Sequence, residues 1–463
     1  MSNLLDLQQA TGGTLRSPQG DASGLAAQPL GPVVTDSRRV EPGSVFWALA
    51  GARCDGGDFA EEAFARGAIG AVIGRAVDPP PGCWVLQVAD TLHALWQWAA
   101  WKREQFRGTV IAVTGSVGKT MTRQMIHTVL KSRLRGTASP RNYNNRVGLP
   151  LSMFQMEPEH DYAVLELGAS SRGEIAAMAE LCGPKIGVIT RIADAHLGTF
   201  GGRLQIAESK AELLGALPRD GHAVLGDDRW LRRMTRWCQA PVTWVGRGPD
   251  SGVTATDVRF RQGRLTFRVG ECPFSVPVWG RHHLLSALIA VEVGRLLGIG
   301  LEEAAGALSR FDGVPMRCEV IEVRGATIIN DAYNANPAAM RAALELLRDF
   351  ETSGRRIVVC GDMAELGGDA PLLHSQLGSQ VVTLCGADVL IACGEYAGQV
   401  VAAARAAGMP HAHAIPCRSP EDTLPFLGQA ILPGDVVLVK GSRVLAMERI
   451  VDALHSYPRR RSA

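Results

Sequence analysis

A glycine-rich segment that ends in a lysine and a threonine is the part of this sequence most suited to chemistry. The segment at 115–120 follows the apolar run 110–112, a predicted strand, and precedes a helix predicted from Met121 to about Ser132. Backbone N–H groups and the dipole at a helix start attract phosphate, and a lysine there adds a positive charge. The predicted ATP-contacting residues of the segment are Gly115, Ser116, Val117, Gly118, Lys119 and Thr120. The Thr120 hydroxyl can also hold Mg²⁺, so the segment predicts use of ATP or a close relative.

One position departs from the general phosphate-loop pattern. That pattern opens with a glycine five residues before Gly118, where this chain has Val113. The alternative is a glycine-rich turn between a strand and a helix that binds no ligand. A lysine and a threonine together after the second glycine have no structural reason to occur, which favours the phosphate site.

Three further polar residues lie in or after predicted elements of the same region. Glu166 ends the apolar run 162–166, and a carboxylate at that edge of a parallel sheet can hold Mg²⁺ or simply be solvated. His196 follows the run 186–190 and could ligate a second ion, although a lone loop histidine is more often only a polar residue. Lys210 lies in a helical stretch with acidic neighbours, and its local sequence predicts a surface lysine.

Two polar segments follow predicted strands in the last third of the chain. The stretch 330–337 contains three asparagines, an aspartate and a tyrosine, which can recognise a ribose, a carbonyl or an amine, or can merely form a turn and a helix cap. Asn336 and Pro337 suit the N-cap and first residue of a helix through Phe350. The stretch 440–443 suits a substrate carboxylate or phosphate, or a solvated loop.

The elements that must position these residues predict an α/β protein of three domains. Residues 1–90 mix short strands with one helix, and 91–315 begins with a helix at 91–106 and continues with strands buried on both faces, as in a parallel sheet. Alternating residues around 242–280 predict an antiparallel excursion within that domain. Residues 316–463 again alternate strands and helices, as in a doubly wound Rossmann-like domain.

Composition narrows the classes of function. The chain has 463 residues, 46% of them hydrophobic, and a net charge of +2, so there is no electrostatic case for binding nucleic acid or a membrane. The ten cysteines have no paired spacing, which argues against a zinc ribbon or a disulfide framework and fits a reducing cytoplasm. We find no signal peptide or membrane-spanning run, and we expect a cytoplasmic protein that does not insert into membranes.

Taken together, the motifs resemble the Mur ligase family of ATP-dependent amide ligases over nearly the whole chain. The phosphate loop of that family also lacks the first glycine of the general pattern. The other matching segments are 35–38 and 55–59 in the first domain, 142–148, 166–169 and 195–197 in the second, and 331–337, 361–367 and 440–443 in the third. The third-domain set is similar to the branch that adds D-alanyl-D-alanine to a UDP-N-acetylmuramoyl-tripeptide.

The resemblance implies a role for each matching residue. Lys119, His196, Lys210 and Arg317 would be catalytic, and Arg317, Asp331 and His283 would contact ATP besides the phosphate loop. Thr120 and Glu166 would hold one Mg²⁺ and His196 a second, with Lys210 carbamylated to supply oxygens to that second ion. The implied substrate-binding residues are Thr35, Ser37, Arg38, Asp58, Asn142, Asn145, Tyr333, Asn334, Asn336, Lys440, Ser442 and Arg443. The sequence gives no firm oligomeric state, and a monomer is the default expectation.

This sequence departs from the family near the adenine site. Asn usually follows the histidine of Gly-Arg-His, and this chain has His283 there, with Ser286 where a second asparagine is common. An imidazole can still stack on a base or bond to it. Two alternatives stay open: another amide ligase of the superfamily, such as a sister Mur ligase or a folate polyglutamate ligase, and a nucleotide-gated binding protein without ligase chemistry.

Overall fold

The structure, a computed structural model, describes residues 3–18, 28–51, 54–248 and 251–456. The chain forms two compact units. The first comprises residues 1–110, 135–167 and 177–183, and the second comprises 111–134, 168–176 and 184–463.

The first unit contains a five-stranded sheet in the order β1-β5-β4-β3-β2. Strand β1 runs antiparallel to β5, and the other neighbours are parallel. The strands of this sheet are β1 Thr14–Arg16, β2 Val33–Val34, β3 Val45–Trp47, β4 Gly70–Ile73 and β5 Trp84–Gln87. Two more strands of the unit, β7 Gly136–Ala138 and β8 Tyr162–Glu166, form a parallel pair.

Helices cover both faces of the sheet of the first unit. The helices are α1 Leu4–Thr11, α2 Ala60–Ala65, α3 Thr91–Gln105 and α5 Gly148–Met153. Helices α1, α3 and α5 pack on the face that carries Trp47 and Leu86, and α2 packs on the face that carries Phe46 and Ile73. Helix α3 is the helix predicted from Thr91, and Asp90 caps it by accepting from the Leu92 and His93 N–H groups. The ring centroids of Trp98 and Trp101 lie 4.7 Å apart in a stacked arrangement, with Trp98 in the core and Trp101 packed against it.

The second unit begins within strand β6, Thr109–Thr114, and contains a parallel sheet in the order β12-β11-β10-β9-β6. The other strands are β9 Ile186–Ile189, β10 His222–Gly226, β11 Val242–Gly246 and β12 Val253–Thr254. The helices of this part are α4 Lys119–Leu130, α7 Leu197–Phe200, α8 Arg203–Gly215, α9 Arg229–Arg232, α10 Leu284–Leu296 and α11 Leu301–Leu308, and α6 Glu174–Cys182 is divided between the units.

The antiparallel sheet predicted for residues 242–280 is shorter than that range. It consists of β13 Thr256–Arg261, β14 Arg264–Val269 and β15 Cys272–Val276, in that order. Strands β11 and β12 pair in parallel with the preceding sheet instead. Only Val245 of β11 is buried. A parallel strand near the edge of a sheet that is partly exposed can show the same alternation of polar and apolar residues as an antiparallel strand.

The end of the chain folds as a six-stranded sheet in the order β16-β17-β21-β18-β19-β20. Only the pair β16–β17 is antiparallel. The strands are β16 Glu319–Val323, β17 Ala326–Asn330, β18 Arg356–Gly361, β19 Val389–Cys393, β20 Ala414–Cys417 and β21 Val436–Lys440, and the helices are α12 Pro337–Asp349, α13 Ala370–Thr383, α14 Ala397–Ala406, α15 Leu424–Ala430 and α16 Glu448–Ser456. Separate apolar clusters cover the two faces, as predicted for a doubly wound sheet.

The cap predicted for α12 is present. The Asn336 side chain accepts from the Ala339 N–H at 2.9 Å, and Pro337 is the first helical residue. This cap fixes where the helix begins and keeps the polar residues 330–336 at the carboxyl end of β17.

All ten cysteines lie in the described residues and are free thiols. Among the helices of the described ranges, none has both the length and the apolar character that crossing a bilayer requires.

Candidate active site

The glycine-rich segment forms the predicted turn between strand β6 and helix α4. Gly115 and Gly118 have φ angles of 141° and 83°, a region that side chains disfavour. The Lys119 ammonium donates to the Gly115 carbonyl at 2.8 Å, and the Thr190 hydroxyl donates to the Val117 carbonyl at 2.6 Å. A Cβ on Gly115 would lie 2.0 Å from the Thr190 hydroxyl, so only glycine fits this conformation. The turn is therefore held ready to receive an anion at the start of α4.

Lys210 is buried, and the prediction of a surface lysine was wrong. Its side chain lies in helix α8 with 2% exposure, and its ammonium donates to the Ala169 carbonyl at 3.0 Å. Burial, and next the charge of Lys119, lower the pKa of Lys210 to about 7. An amine with such a pKa is neutral more often at physiological pH than an ordinary lysine.

His196 lies between the phosphate loop and the loop that follows β18. It precedes α7 with φ of 56°, and its Nδ1 pairs with the Glu365 carboxylate. Burial lowers the pKa of His196, Glu365 opposes this effect, and the charges of Lys119 and Lys210 add to it. Lys119, His196 and Lys210 are thus close enough to act on one another, and together they form a positively biased site.

Close backbone contact holds the His196 loop against the loop after β18. The Gly198 N–H donates to the Glu365 carbonyl at 3.0 Å. A Cβ on Gly198 would lie 2.9 Å from the Gly367 nitrogen, and Gly367 itself has φ of 59°. The two glycines allow this approach, which places Glu365 beside His196.

Arg317 reaches the phosphate loop from the start of the last third of the chain. Its guanidinium lies over the Tyr333 ring at 3.8 Å and donates to the Thr120 hydroxyl at 3.4 Å. Stacking on an aromatic face orients a guanidinium while leaving its N–H groups available. Arg317 and Tyr333 therefore lie at the same site as Thr120.

Asp331 and Lys440 form a buried ion pair at the carboxyl ends of β17 and β21. Their closest charged atoms are 2.6 Å apart, and Lys440 also donates to the Asn334 carbonyl at 2.9 Å. The second Asp331 oxygen accepts from the Cys318 N–H at 3.1 Å. Asp331 therefore positions the segment that carries Arg317.

Loss of the Asp331 carboxylate should cost more stability than loss of an exposed pair. We expect Asp331→Ala to lower the free energy of unfolding by about 3–5 kcal/mol, because the Lys440 charge is left buried without its partner. Glu345→Ala, which breaks the exposed pair with Arg341, is the control and should cost less than about 1 kcal/mol. Denaturant unfolding of both variants measures the difference, and equal losses would contradict this role for Asp331.

The other third-domain candidates differ in exposure. Ser442 is buried, and its N–H donates to the Asp362 carbonyl at 2.9 Å. Arg443 is exposed and pairs with Glu448 at 2.6 Å, and Asn334 is exposed. His283 is buried beside His282, with ring centroids 4.0 Å apart. Burial is the first cause that lowers the pKa of His283 well below its usual value, so its imidazole is neutral.

In the first unit, Glu166 is the last residue of β8 and is almost fully buried. The Asn144 amide donates to the Glu166 carboxylate at 2.9 Å, and the Glu166 N–H donates to the Ser139 hydroxyl at 3.1 Å. Asn145 caps the start of α5 by accepting from the Gly148 N–H, and Asn142 is exposed in the same loop. The strand-end position predicted for Glu166 is therefore confirmed.

The substrate-binding candidates of the first domain, which the resemblance implies, also lie in the first unit. The Ser37 hydroxyl donates to Glu62 at 2.9 Å, and Arg38 pairs with Asp36 at 2.8 Å. Asp58 pairs with Arg75 at 2.9 Å, and Thr35 is half-buried.

Sequence reasoning missed two residues that shape the site. The sequence places Thr190 at the end of the apolar run 186–190, and its hydroxyl holds the phosphate loop. Its position just after β9, next to β6 in the sheet, is the signal that could identify it. Glu365 lies in the matching segment 361–367, and nothing local to it indicates that it faces His196.

Comparison with known proteins identifies the family. Three family models match the chain: the Mur ligase family, catalytic domain at residues 32–89, the Mur ligase middle domain at 113–294, and the Mur ligase, glutamate ligase domain at 316–443. These matches cover well over half of the sequence. The chain belongs to the Mur ligase family. The family predicted from the sequence is confirmed, and this Mur ligase is an ATP-dependent ligase with the three-domain α/β fold of that family.

Individual relatives agree with this assignment. The chain is 34% identical to the UDP-N-acetylmuramoyl-tripeptide–D-alanyl-D-alanine ligase of Bacillus subtilis strain 168, over 96% of both chains. It superposes on a crystal structure of MurF from Acinetobacter baumannii with a TM-score of 0.85 and 30% identity, covering 98% of this chain and 99% of that one. A MurF ligase from Thermotoga maritima in complex with ADP gives a TM-score of 0.77 and 29% identity, with 92% and 97% covered.

Proposed function

We propose that this Mur ligase adds D-alanyl-D-alanine to a UDP-N-acetylmuramoyl-tripeptide and makes the pentapeptide precursor of peptidoglycan, with ADP and phosphate as the other products. The observation that carries the proposal is the convergence of Lys119, His196, Lys210 and Arg317 around one phosphate loop. The names of the similar relatives support the choice of substrates.

The chemistry follows from the low reactivity of a carboxylate toward an amine. Transfer of the γ-phosphoryl group of ATP to a tripeptide carboxylate oxygen gives an acyl phosphate, which is a good electrophile. The neutral amine of D-alanyl-D-alanine then attacks the carbonyl carbon, and the tetrahedral intermediate expels phosphate. Lys119 and Arg317 offset the charge that develops on the transferring group.

Arg317 should act mainly on the rate of transfer. We expect Arg317→Ala to lower kcat/KM roughly tenfold or more, the effect of one lost transition-state contact. Steady-state kinetics of phosphate release measure this loss. Arg341→Ala, at an exposed arginine of α12, is the control, and an Arg317 variant as active as this control would contradict the role.

Magnesium suits the oxygen donors that the family resemblance assigns to it. Mg²⁺ prefers oxygen ligands, and we assign Thr120 and Glu166 this role, with His196 and a modified Lys210 for a second ion. Ions held by these residues would offset the negative charge of the phosphates. Thr120 lies at the start of α4, where its hydroxyl can face a phosphate.

We propose that Lys210 is carbamylated, which would give it oxygen atoms that can bind the second ion. A buried amine with a pKa of about 7 is often neutral, and its nitrogen can attack CO₂ with loss of one proton. The product carries a carboxylate-like pair of oxygens on a neutral nitrogen. This converts a buried cation, which repels Mg²⁺, into an anionic ligand.

Substrate contacts divide by domain, with boundaries near residues 90 and 315. We assign the UDP-substrate to Thr35, Ser37, Arg38 and Asp58, and its muramoyl-peptide to Asn142 and Asn145. The incoming dipeptide is assigned to Tyr333, Asn334, Asn336, Lys440, Ser442 and Arg443. The nucleotide is assigned to Arg317, Asp331 and His283, with His283 near the base. Asp331 and Lys440 also form an ion pair with each other. The proposed enzyme works in the cytoplasm as a monomer, without nucleic acid or membrane insertion.

One assay separates this proposal from its two rivals. Phosphate release should require both the UDP-muramoyl-tripeptide and D-alanyl-D-alanine, and the product should gain the mass of the dipeptide less water. A folate ligase would instead require a folate and glutamate. A nucleotide-gated binding protein would form no peptide bond under any combination.

A further inference from the structure

The second unit contains a short segment that is rich in arginine and tryptophan. Residues 227–247 include five arginines, two aspartates and no other charged residue, so the segment has a net charge of +3 against +2 for the whole chain. Three of the nine tryptophans of the chain lie in the same segment. The small net charge of the chain gives no case for binding a polyanion, but it conceals this basic segment, which has no part in the ligation proposed above.

Two short helical turns bring four of these arginines to an exposed face. Helix α9 begins after Asp228, whose carboxylate accepts from the Trp230 N–H at 2.8 Å, and a 3-10 turn follows at Thr235–Trp237. Leu231 and Met234 are buried. The exposed arginines, at the spacing of one helical face, are Arg229, Arg232, Arg233 and Arg236.

Both acidic groups of the segment are already engaged. Asp227 pairs with Arg232 at 2.8 Å, and Asp228 caps α9. Within the described ranges of the chain, three of the four guanidinium groups form no ion pair with a carboxylate, and these belong to Arg229, Arg233 and Arg236. The face therefore presents positive charge that the protein itself does not compensate.

Each tryptophan ring of the segment lies against one or two of the four guanidinium groups. Arg229 and Arg233 lie 5.1 and 5.4 Å from the centre of the Trp230 ring. The other contacts are Arg232 to Trp244 at 4.8 Å and Arg236 to Trp237 at 5.7 Å. A cation–π contact orients a guanidinium group without using its capacity to donate to a phosphate. We call these seven residues the arginine–tryptophan surface.

The covered rings favour one kind of phosphate-bearing partner over another. Proteins that bind single-stranded nucleic acid stack its bases on aromatic faces, and here a base would first have to displace a guanidinium group. A membrane surface makes no such demand, because its phosphates accept from arginine and its headgroup layer accommodates tryptophan, whose ring is apolar and whose N–H is polar. Trp237 is the most accessible of the three rings, with 37% of its surface exposed.

We propose that the arginine–tryptophan surface attaches this protein to the surface of a bilayer that contains anionic phospholipids. The arginines supply the attraction, which acts within about 10 Å of the headgroups at moderate salt. Trp237 enters the headgroup layer, and no segment crosses the bilayer. The attachment holds the protein beside the membrane and does not involve the residues of the candidate active site.

Sedimentation of the full-length chain with vesicles tests this attachment. We expect the chain to bind vesicles of phosphatidylcholine that contain about 30% phosphatidylglycerol, and to bind pure phosphatidylcholine about tenfold more weakly or less. An increase of salt from about 0.1 M to about 1 M should release the chain, because it screens the attraction between the arginines and the headgroups.

Two triple variants separate a local surface from overall charge. The surface variant carries Arg229→Gln, Arg233→Gln and Arg236→Gln, and its affinity for the anionic vesicles should fall about 100-fold, at roughly fivefold for each arginine. The control variant removes the same charge at exposed arginines elsewhere, by Arg66→Gln, Arg341→Gln and Arg449→Gln, and should bind within about threefold of the natural chain. Thermal unfolding checks that both variants are folded.

Equal binding to neutral and anionic vesicles, or equal binding by the two triple variants, would overturn the proposal. Single-stranded RNA is the competing ligand, and tighter binding of RNA than of vesicles at equal phosphate concentration, lost in the surface variant, would reassign the surface to nucleic acid. If the surface variant does not fold, Trp237→Ala takes its place and should weaken vesicle binding about fivefold. Unchanged binding by that variant counts against the proposal. The mixtures contain no ATP or peptide substrate, so their result is independent of the ligase proposal.

Discussion

Lys119→Ala should reduce ligation by ~10³-fold or more, which corresponds to about 4 kcal/mol of transition-state stabilisation. The ammonium lies at the start of α4 and beside the loop carbonyl of Gly115, where the outer phosphates would bind. Its removal takes away the one mobile point charge of the loop. Phosphate release under saturating substrates, with product detected by mass, measures the loss.

The matched control for Lys119 is Lys131, which ends the same helix. Lys131 is exposed and follows Leu130, so Lys131→Ala should keep near-normal activity. Thermal unfolding of both variants separates a lost contact from a lost fold. Near-normal turnover by a folded Lys119→Ala enzyme would refute the assignment of the phosphate loop.

Lys210→Met should reduce ligation by about 10²-fold or more, because the oxygens proposed for the second ion are removed while the apolar stem is kept. Lys210→Arg should be equally impaired, since a guanidinium keeps its charge and does not react with CO₂. Carbon-13 NMR of the chain in labelled bicarbonate should show a carbamate signal that is absent from both variants. A signal that survives in Lys210→Arg would contradict the site of modification.

The pH dependence of stability gives an independent test of Lys210. Its folded pKa of about 7 lies below the usual value of 10.5, so the unfolded chain binds the extra proton between these values. Stability therefore rises with pH across that range, and burial of the charge costs most below pH 7. Without added CO₂, Lys210→Met should be stabilised relative to the natural chain more at pH 6 than at pH 9. Equal differences in stability at both pH values would mean that the pKa of Lys210 is not depressed in the folded chain.

Much of the fold could be predicted from the sequence because apolar runs, helix caps and prolines act on the residues next to them. Strands β8, β9 and β18 are continuous apolar runs, and the helix at α12 has both its cap and its proline in sequence. The phosphate loop was predicted for the same reason, since its glycines and Lys119 are contiguous. The parallel strand β11 was misjudged because alternation reports half-exposure and not strand direction.

The burial of Lys210 could have been predicted from helical periodicity. Ile206, Ala207, Leu213 and Leu214 are buried, and these positions are three and four residues from Lys210 on the same face of α8. The acidic neighbours at 208 and 212 suggested a surface instead. The family resemblance gave the better interpretation of Lys210.

Contacts between distant loops could not be predicted from one sequence. Glu365 meets His196 across 169 residues, and the approach depends on the backbones of Gly198 and Gly367. The contact between Cys318 and His282 likewise depends on how the turn at 281–283 meets the strand at 319. Neither pair has a spacing that a sequence pattern records.

Oxygen transfer from the peptide to phosphate tests the central claim most directly. A tripeptide substrate with both oxygens of its terminal carboxyl group labelled with oxygen-18 should yield phosphate that carries one labelled oxygen, while the new amide carbonyl keeps the other. This outcome requires an acyl phosphate formed from ATP at the loop that begins with Gly115. Product formed together with unlabelled phosphate would contradict the account.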